Sequence, residues 1–181
     1  MMKNRLAGFI SVLLLVGVVV GALWFDRVNN TVPQVNAVVE RVIDGDTIDV
    51  LIDQQLVRIR LVGIDAPELS QDSGRSVQQF LASFIQGQEV KIALDSQDKY
   101  GRSLAEVFVT TRDPKTLAQS QLSVNEFLVR TGRAWAYRYR GEVQYSGYGQ
   151  LEADARAQHR GLWVNAGAVE PWQWRKMHDN R

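Results

Sequence analysis

The sequence predicts an α+β fold: a five-stranded β-barrel carrying about three helices, preceded by an N-terminal transmembrane helix. Three observations predict it. Five short runs alternate apolar and polar residues with period two, the mark of strands buried on one face. A helical repeat of apolar residues falls between the third and fourth runs. Ahead of them, Leu6 to Phe25 is apolar and uncharged, over the span of about 20 residues that a bilayer core requires.

Lys3 and Arg5 precede the apolar span, and positive charge there keeps that end cytoplasmic, with the rest of the chain on the outer side. The run is long for a signal peptide, which favours an uncleaved anchor; the small residues Val20-Gly21-Ala22 keep a cleaved signal open. Residues 1–25 are thus anchor or signal, 26–34 a polar linker containing Pro33, 35–165 the folded domain and 166–181 a tail.

Val35 to Ile43 is the first strand, with Val39, Arg41 and Ile43 on one face and Val38, Glu40 and Val42 on the other. After Asp44-Gly45, a turn signal, Ile48, Val50 and Ile52 mark the second strand. Val57, Ile59 and Leu61, alternating with Arg58 and Arg60, mark the third. The break at Asp53-Gln54-Gln55 allows a hairpin, so the three form a meander. Val77, Phe80, Leu81, Phe84 and Ile85 then recur at helical spacing, stopped by Gly87. Glu89 to Leu94 and Leu104 to Val109 are the fourth and fifth strands, around a charged turn. Thr110 to Leu122 reads as a polar connection.

Ser123-x-x-Glu126 is a capping box opening a second helix that Gly132 stops. Arg133 to Arg140 is aromatic and basic, with Trp135 a core candidate. Gln150 to Arg160 is a third helix with Glu152 and Asp154 early and Arg156, His159 and Arg160 late, as the helix dipole favours. In the tail, Pro171-Trp172-Gln173-Trp174-Arg175 packs onto the domain ahead of a ragged end. Five strands with a helix between the third and fourth match the oligonucleotide-binding (OB) barrel layout.

Composition excludes whole classes of chemistry. There is no cysteine, hence no disulfide, thiolate nucleophile or zinc–thiolate site. Two histidines, His159 and His178, argue against a histidine metal centre or triad, and His159 reads as a surface residue. The chain has 21 basic and 20 acidic residues; without Lys3 and Arg5 the balance is 19 to 20. Net charge therefore gives no support to nucleic-acid binding, and such contacts must come from local clusters.

One local cluster stands out. Folding the second and third strands together brings Asp46 and Asp65 to the same end, with Glu68 close behind. A pocket of carboxylate oxygens suits a hard divalent cation, calcium first. The plainer reading is two ordinary turns, Asp-Gly and Asp-Ala-Pro.

Four motifs decide between these. Asp44-Gly45-Asp46-Thr47 is followed by Arg60-Leu61-x-x-x-Asp65-x-Pro67-Glu68, then Asp98-Lys99-Tyr100-Gly101-Arg102, then Val124-Asn125-Glu126-x-Leu128-Val129-Arg130. In this order, across residues 38–163, the chain resembles the staphylococcal nuclease (thermonuclease-like) family. The resemblance implies an OB barrel and calcium-dependent hydrolysis of DNA and RNA phosphodiesters with little sequence preference, leaving 3′-phosphate ends. It implies that Asp46 and Asp65 ligate the metal, that Ala66 offers its carbonyl, and that Asp44 acts through water. Threonine is common in the family at Ala66, but only the backbone ligates there. Glu68 is then the general base, and Arg60 and Arg102 hold the phosphate, since a guanidinium fork matches two phosphate oxygens. Lys99, Tyr100, Tyr137 and Tyr139 fall at substrate-contacting positions, where bases stack on aromatic faces without sequence preference.

The expected partners are nucleic acid and, through the N-terminal helix, the membrane, with the chain a monomer. The catalytic domain would lie outside the cytoplasm, or be secreted if the leader is cleaved. The alternative is a non-catalytic barrel that binds nucleic acid or protein at the membrane.

Overall fold

The computed structural model describes residues 33–164 and 167–178. The apolar span Leu6 to Phe25 and most of the linker lie outside the described residues. Among the described residues no helix is long and apolar enough to cross a membrane.

Strands β1 (Gln34–Val42), β2 (Thr47–Ile52), β3 (Gln55–Leu61), β5 (Glu89–Gln97) and β6 (Ser103–Arg112) form the barrel. Their order is β3-β2-β1-β5-β6, and parallel pairing of β3 with β6, from Ile59–Ser103 to Leu61–Ala105, closes it. The short strand β4 (Ile64–Asp65) pairs with β8 (Trp135–Ala136). Strands β9 (Arg138–Tyr139) and β10 (Glu142–Val143) form a small hairpin.

The inward residues of the predicted strands supply the core: Val39, Ile48, Val50, Ile59, Leu61, Ile92 and Val107 are fully buried. Each such side chain is worth about 1.5–3 kcal/mol relative to exposure. Helix α1 (Gly74–Ile85) covers the barrel with Val77, Leu81 and Ile85, the stripe its spacing predicts. Helix α2 (Val124–Arg130) starts as predicted, with Ser123 Oγ accepting from Glu126 N at 3.1 Å. The Glu126 carboxylate pairs with Arg130. Trp135 is buried, edge-on to Trp163 at 4.9 Å between ring centroids.

Four expectations need correction. In β1 the register steps from Val39–Val50 to Arg41–Asp49, so Glu40 is an extra residue. This bulge puts Val39 and Val42 inside and Arg41 outside, where uninterrupted alternation would have put Val39 and Arg41 together. Thr110 to Leu122 is not merely a connection: β6 runs on to Arg112 and β7 (Gln119–Ser123) pairs back along it. Most of β7 is solvated, so it carries no apolar alternation to read.

Third, helix α3 (Tyr148–Ala157) starts ahead of Gln150, so its first turn holds no acid, and Glu152 is buried. It accepts from Ala136 N at 2.8 Å and pairs with Arg138 and Arg156 at 2.9 and 2.7 Å. Fourth, the tail holds a helix, α4 (Pro171–His178), after a 3-10 turn at Gly161–Val164. There are thus four α-helices among the described residues where about three were expected.

Candidate active site

The site sits where β2 begins and β3 ends. Asp44 Oδ1 accepts from Asp46 N at 2.9 Å, which tightens the turn into β2. Asp46 O accepts from Leu61 N at 2.8 Å, tying the turn to β3. Gly45 is required by close approach: a Cβ there would lie 2.6 Å from Ala66 Cβ and 2.9 Å from Val77 Cγ1. The turn is thus pressed between Ala66 and α1, and Asp46 Oδ2 accepts from Ala66 N at 2.7 Å. Asp46 and Asp65 are both buried.

Glu68 is placed by the loop that leads into α1. Gln71 N donates to Glu68 O at 2.8 Å, and Glu68 N donates to Gln71 Oε1 at 3.2 Å. Gly74 lets α1 begin against this loop, because a Cβ there would fall 1.9 Å from Glu68 O.

Arg60 stands on β3 opposite Thr47 with its side chain only 14% exposed. Its Nη1 donates to Leu61 O at 2.7 Å and its Nη2 to Ile64 O at 3.0 Å. Nη2 also faces Asp46 Oδ2 at 3.0 Å and Asp65 Oδ1 at 3.5 Å. Arg102 is fixed differently: Asp98 Oδ2 accepts its Nε at 2.7 Å, closing the Asp98–Arg102 turn. Its Nη groups make no other hydrogen bond among the described residues.

A cleft of about 440 Å³ gathers these groups. It is lined by Asp44, Asp46, Arg60, Asp65, Ala66, Glu68 and Arg102, with Lys99, Tyr100 and Tyr137 also at its wall. Tyr139 is the exception. It lies on β9, 55% exposed and outside the cleft lining, with the Arg140 guanidinium 5.3 Å from its ring.

Burial pushes the Asp46 carboxyl up to about 7, opposed by Arg60 and by the Ala66 amide and reinforced by Asp44 and Asp65. Desolvation is the leading cause, and Arg60 opposes it more strongly than either neighbouring carboxylate reinforces it. Among the described residues no three acidic or imidazole side chains close into a ready-made cage. The donors are nevertheless all oxygen, carboxylate and carbonyl, and their chemistry fits a hard divalent cation.

One residue of the cleft was not anticipated. Arg175 of α4 donates to Asp65 Oδ1 at 3.1 Å, to Asp65 Oδ2 at 2.8 Å and to Glu68 Oε1 at 2.7 Å. These hydrogen bonds hold the guanidinium more firmly protonated than usual, the Asp65 pair first. Pro171 at the first helical position and the basic last turn are helix signals, but nothing in them points to a partner some 110 positions away.

A closed OB-type barrel with buried carboxylates, guanidinium groups and exposed aromatics in one cleft has the donors for a phosphate ester and its counter-ion. The chain belongs to the staphylococcal nuclease homologue family, whose model matches residues 58–165. It is 43% identical to a micrococcal nuclease of Shigella flexneri over 143 residues, covering 78% of this chain and 81% of that one. It is 44% identical to Protein ParB of Escherichia coli over 143 residues, 79% and 80% of the two chains. An uncharacterized endonuclease of Escherichia coli O157:H7 is 42% identical over 138 residues, 76% and 82% of the two. Together these support a nuclease hydrolase.

Proposed function

We propose that the protein is a calcium-dependent nuclease that hydrolyses phosphodiester bonds of DNA and RNA with little sequence preference. The observation that carries this reading is the meeting of Asp46, Asp65, Glu68, Arg60 and Arg102 in one cleft. When bound, a divalent cation supplies charge to the phosphoryl oxygens and helps orient a water.

Asp46 and Asp65 would hold that cation by carboxylate oxygens, Ala66 by its carbonyl and Asp44 through a water. Glu68, half-exposed at the cleft wall, takes a proton from the attacking water. Arg102, anchored through Nε by Asp98, offers its Nη edge to the phosphoryl oxygens. Arg60, its plane set by two carbonyls, offsets charge between the carboxylates and the phosphate. Such preorganised donors supply most of the acceleration in phosphoryl transfer. Lys99, Tyr100 and Tyr137 bind the strand at the cleft, and Tyr139 extends the platform beyond it. The N-terminal span with Lys3 and Arg5 anchors a monomer with this domain outside the cytoplasm, or exports it if cleaved.

One observation favours the non-catalytic binding module instead: Arg175 already occupies Asp65 and Glu68. The deciding experiment is digestion of single- and double-stranded DNA and RNA by the purified protein across a metal series. Chelation should abolish cleavage and calcium restore it. Full activity in excess chelator would refute the metal role, and binding without cleavage under every metal would establish the module.

A further inference from the structure

The cleft holds a cation that the chain itself supplies. The Arg175 guanidinium takes both oxygens of Asp65, whose side chain is 2% exposed, and one oxygen of Glu68. A calcium ion binds carboxylate oxygen at about 2.3–2.6 Å. An ion at Asp65 would therefore sit beside a like charge already bonded to the same two oxygens, and the two cations compete for them.

The attachment of α4 makes this residue decisive. An isolated helix of eight residues does not persist in water, so α4 depends on what holds it to the barrel. Arg175 supplies its three charge-assisted hydrogen bonds. Beyond these, Pro171 is buried, Gln71 donates to Val169 O just ahead of the helix, and the Arg138 guanidinium lies 6.0 Å from the Trp172 ring. Lys176, Met177 and His178 are exposed.

We propose that α4 is an autoinhibitory strap: Arg175 stands in for the divalent cation at Asp65 and ties down Glu68, and cation binding and a docked Arg175 exclude each other. This rests on the metal reading of the cleft given above. By linkage, whatever free energy Arg175 takes from the cation, the cation takes from the docking of α4.

Calorimetry of calcium binding to the full chain in detergent tests it, using wild type, Arg175→Gln and Lys176→Gln. The Lys176 substitution removes the same charge from the exposed side of the same helix. Arg175→Gln should bind calcium at least roughly tenfold tighter, the scale of one charge-assisted hydrogen bond, and Lys176→Gln should match wild type. Calcium should also speed amide hydrogen exchange across residues 171–178 in wild type. Equal or weaker binding by Arg175→Gln, or calcium protecting α4 from exchange, overturns the strap. If wild type and variants bind calcium equally, the metal reading survives and the strap falls; if none binds, both fall. Should Arg175→Gln fail to fold, Arg175→Lys decides: lysine lacks the bidentate fork, so its affinity should lie above wild type, and an unchanged affinity rejects the proposal.

Discussion

Asp46, just before β2, and Asp49, within it, titrate in opposite directions, because desolvation dominates at the first and hydrogen-bonded arginines at the second. Burial drives Asp46 up to about 7. Asp49 is held down to about 2, chiefly by hydrogen bonds from Arg58 at 2.7 and 3.0 Å, which with Arg41 outweigh desolvation. A depressed carboxylate pKa stabilises the fold above the unfolded value near 4, and that stability is lost as pH falls through the folded value. Asp49→Asn should therefore cost about 2 kcal/mol at pH 7. In urea unfolding, the gap between variant and wild type should close between about pH 4 and pH 2; a gap independent of pH would reject the ion-pair account. The same scale applies to the arginines of the cleft. Lysine keeps the charge but not the fork, so Arg60→Lys and Arg102→Lys should each lower kcat by roughly 10²–10³. Were these groups only surface cations, turnover of the folded variants would stay near wild type.

At the scale of the element, α2 shows why a motif residue need not touch the reaction. Asn125 is fully buried; its Nδ2 donates to Val62 O and Ala105 O at 2.9 and 3.1 Å, and its Oδ1 accepts from Val107 N at 3.1 Å. One side chain thus joins α2 to β6 and to the segment just after β3 that leads to Asp65. Asn125→Ala removes the side-chain partner of Val62 O and Val107 N, while Ala105 O keeps Val62 N at 2.9 Å, and should cost about 2–4 kcal/mol in urea unfolding. A cost under about 0.5 kcal/mol, the range of surface changes, would mean that water replaces the amide. The turn into β2 makes a similar point. Gly45→Ala forces Ala66 and Val77 back, so it should weaken calcium binding even where circular dichroism shows the barrel intact. Unaltered calcium affinity in a folded Gly45→Ala protein would show that the turn and Ala66 need not be in contact.

For the whole molecule, the N-terminal charges bear on placement relative to the membrane. Lys3 and Arg5 ahead of the uncharged span predict an outward-facing domain. Protease added to spheroplasts should digest it while a cytosolic marker survives; protection until lysis would exclude that orientation. A soluble mature form beginning near Leu23 would identify the leader as cleaved. The strap has a molecular-scale consequence too, since it makes the tail part of the active cleft instead of an appendage to the barrel.

What the sequence by itself determined was the placement of elements that repeat at short range or follow a motif. Period-two runs located the barrel strands, the stripe from Val77 to Ile85 located α1, and Ser123 with Glu126 located the start of α2. The paired turns at Asp46 and Asp65 located the cleft. Local spacing suffices there because side-chain direction within one strand or helix is set by backbone geometry. Only the tertiary structure decided the rest. The β1 bulge depends on pairing Arg41 with Asp49 across strands. The solvated strand β7 exists because β6 offers it an edge. Glu152 turns inward because Ala136 N, Arg138 and Arg156 meet it there. Arg175 enters the cleft because the chain returns, some 110 residues later, to Asp65. Each is a partnership between distant segments, and which charge or backbone group meets which is settled by packing, not by spacing along the chain.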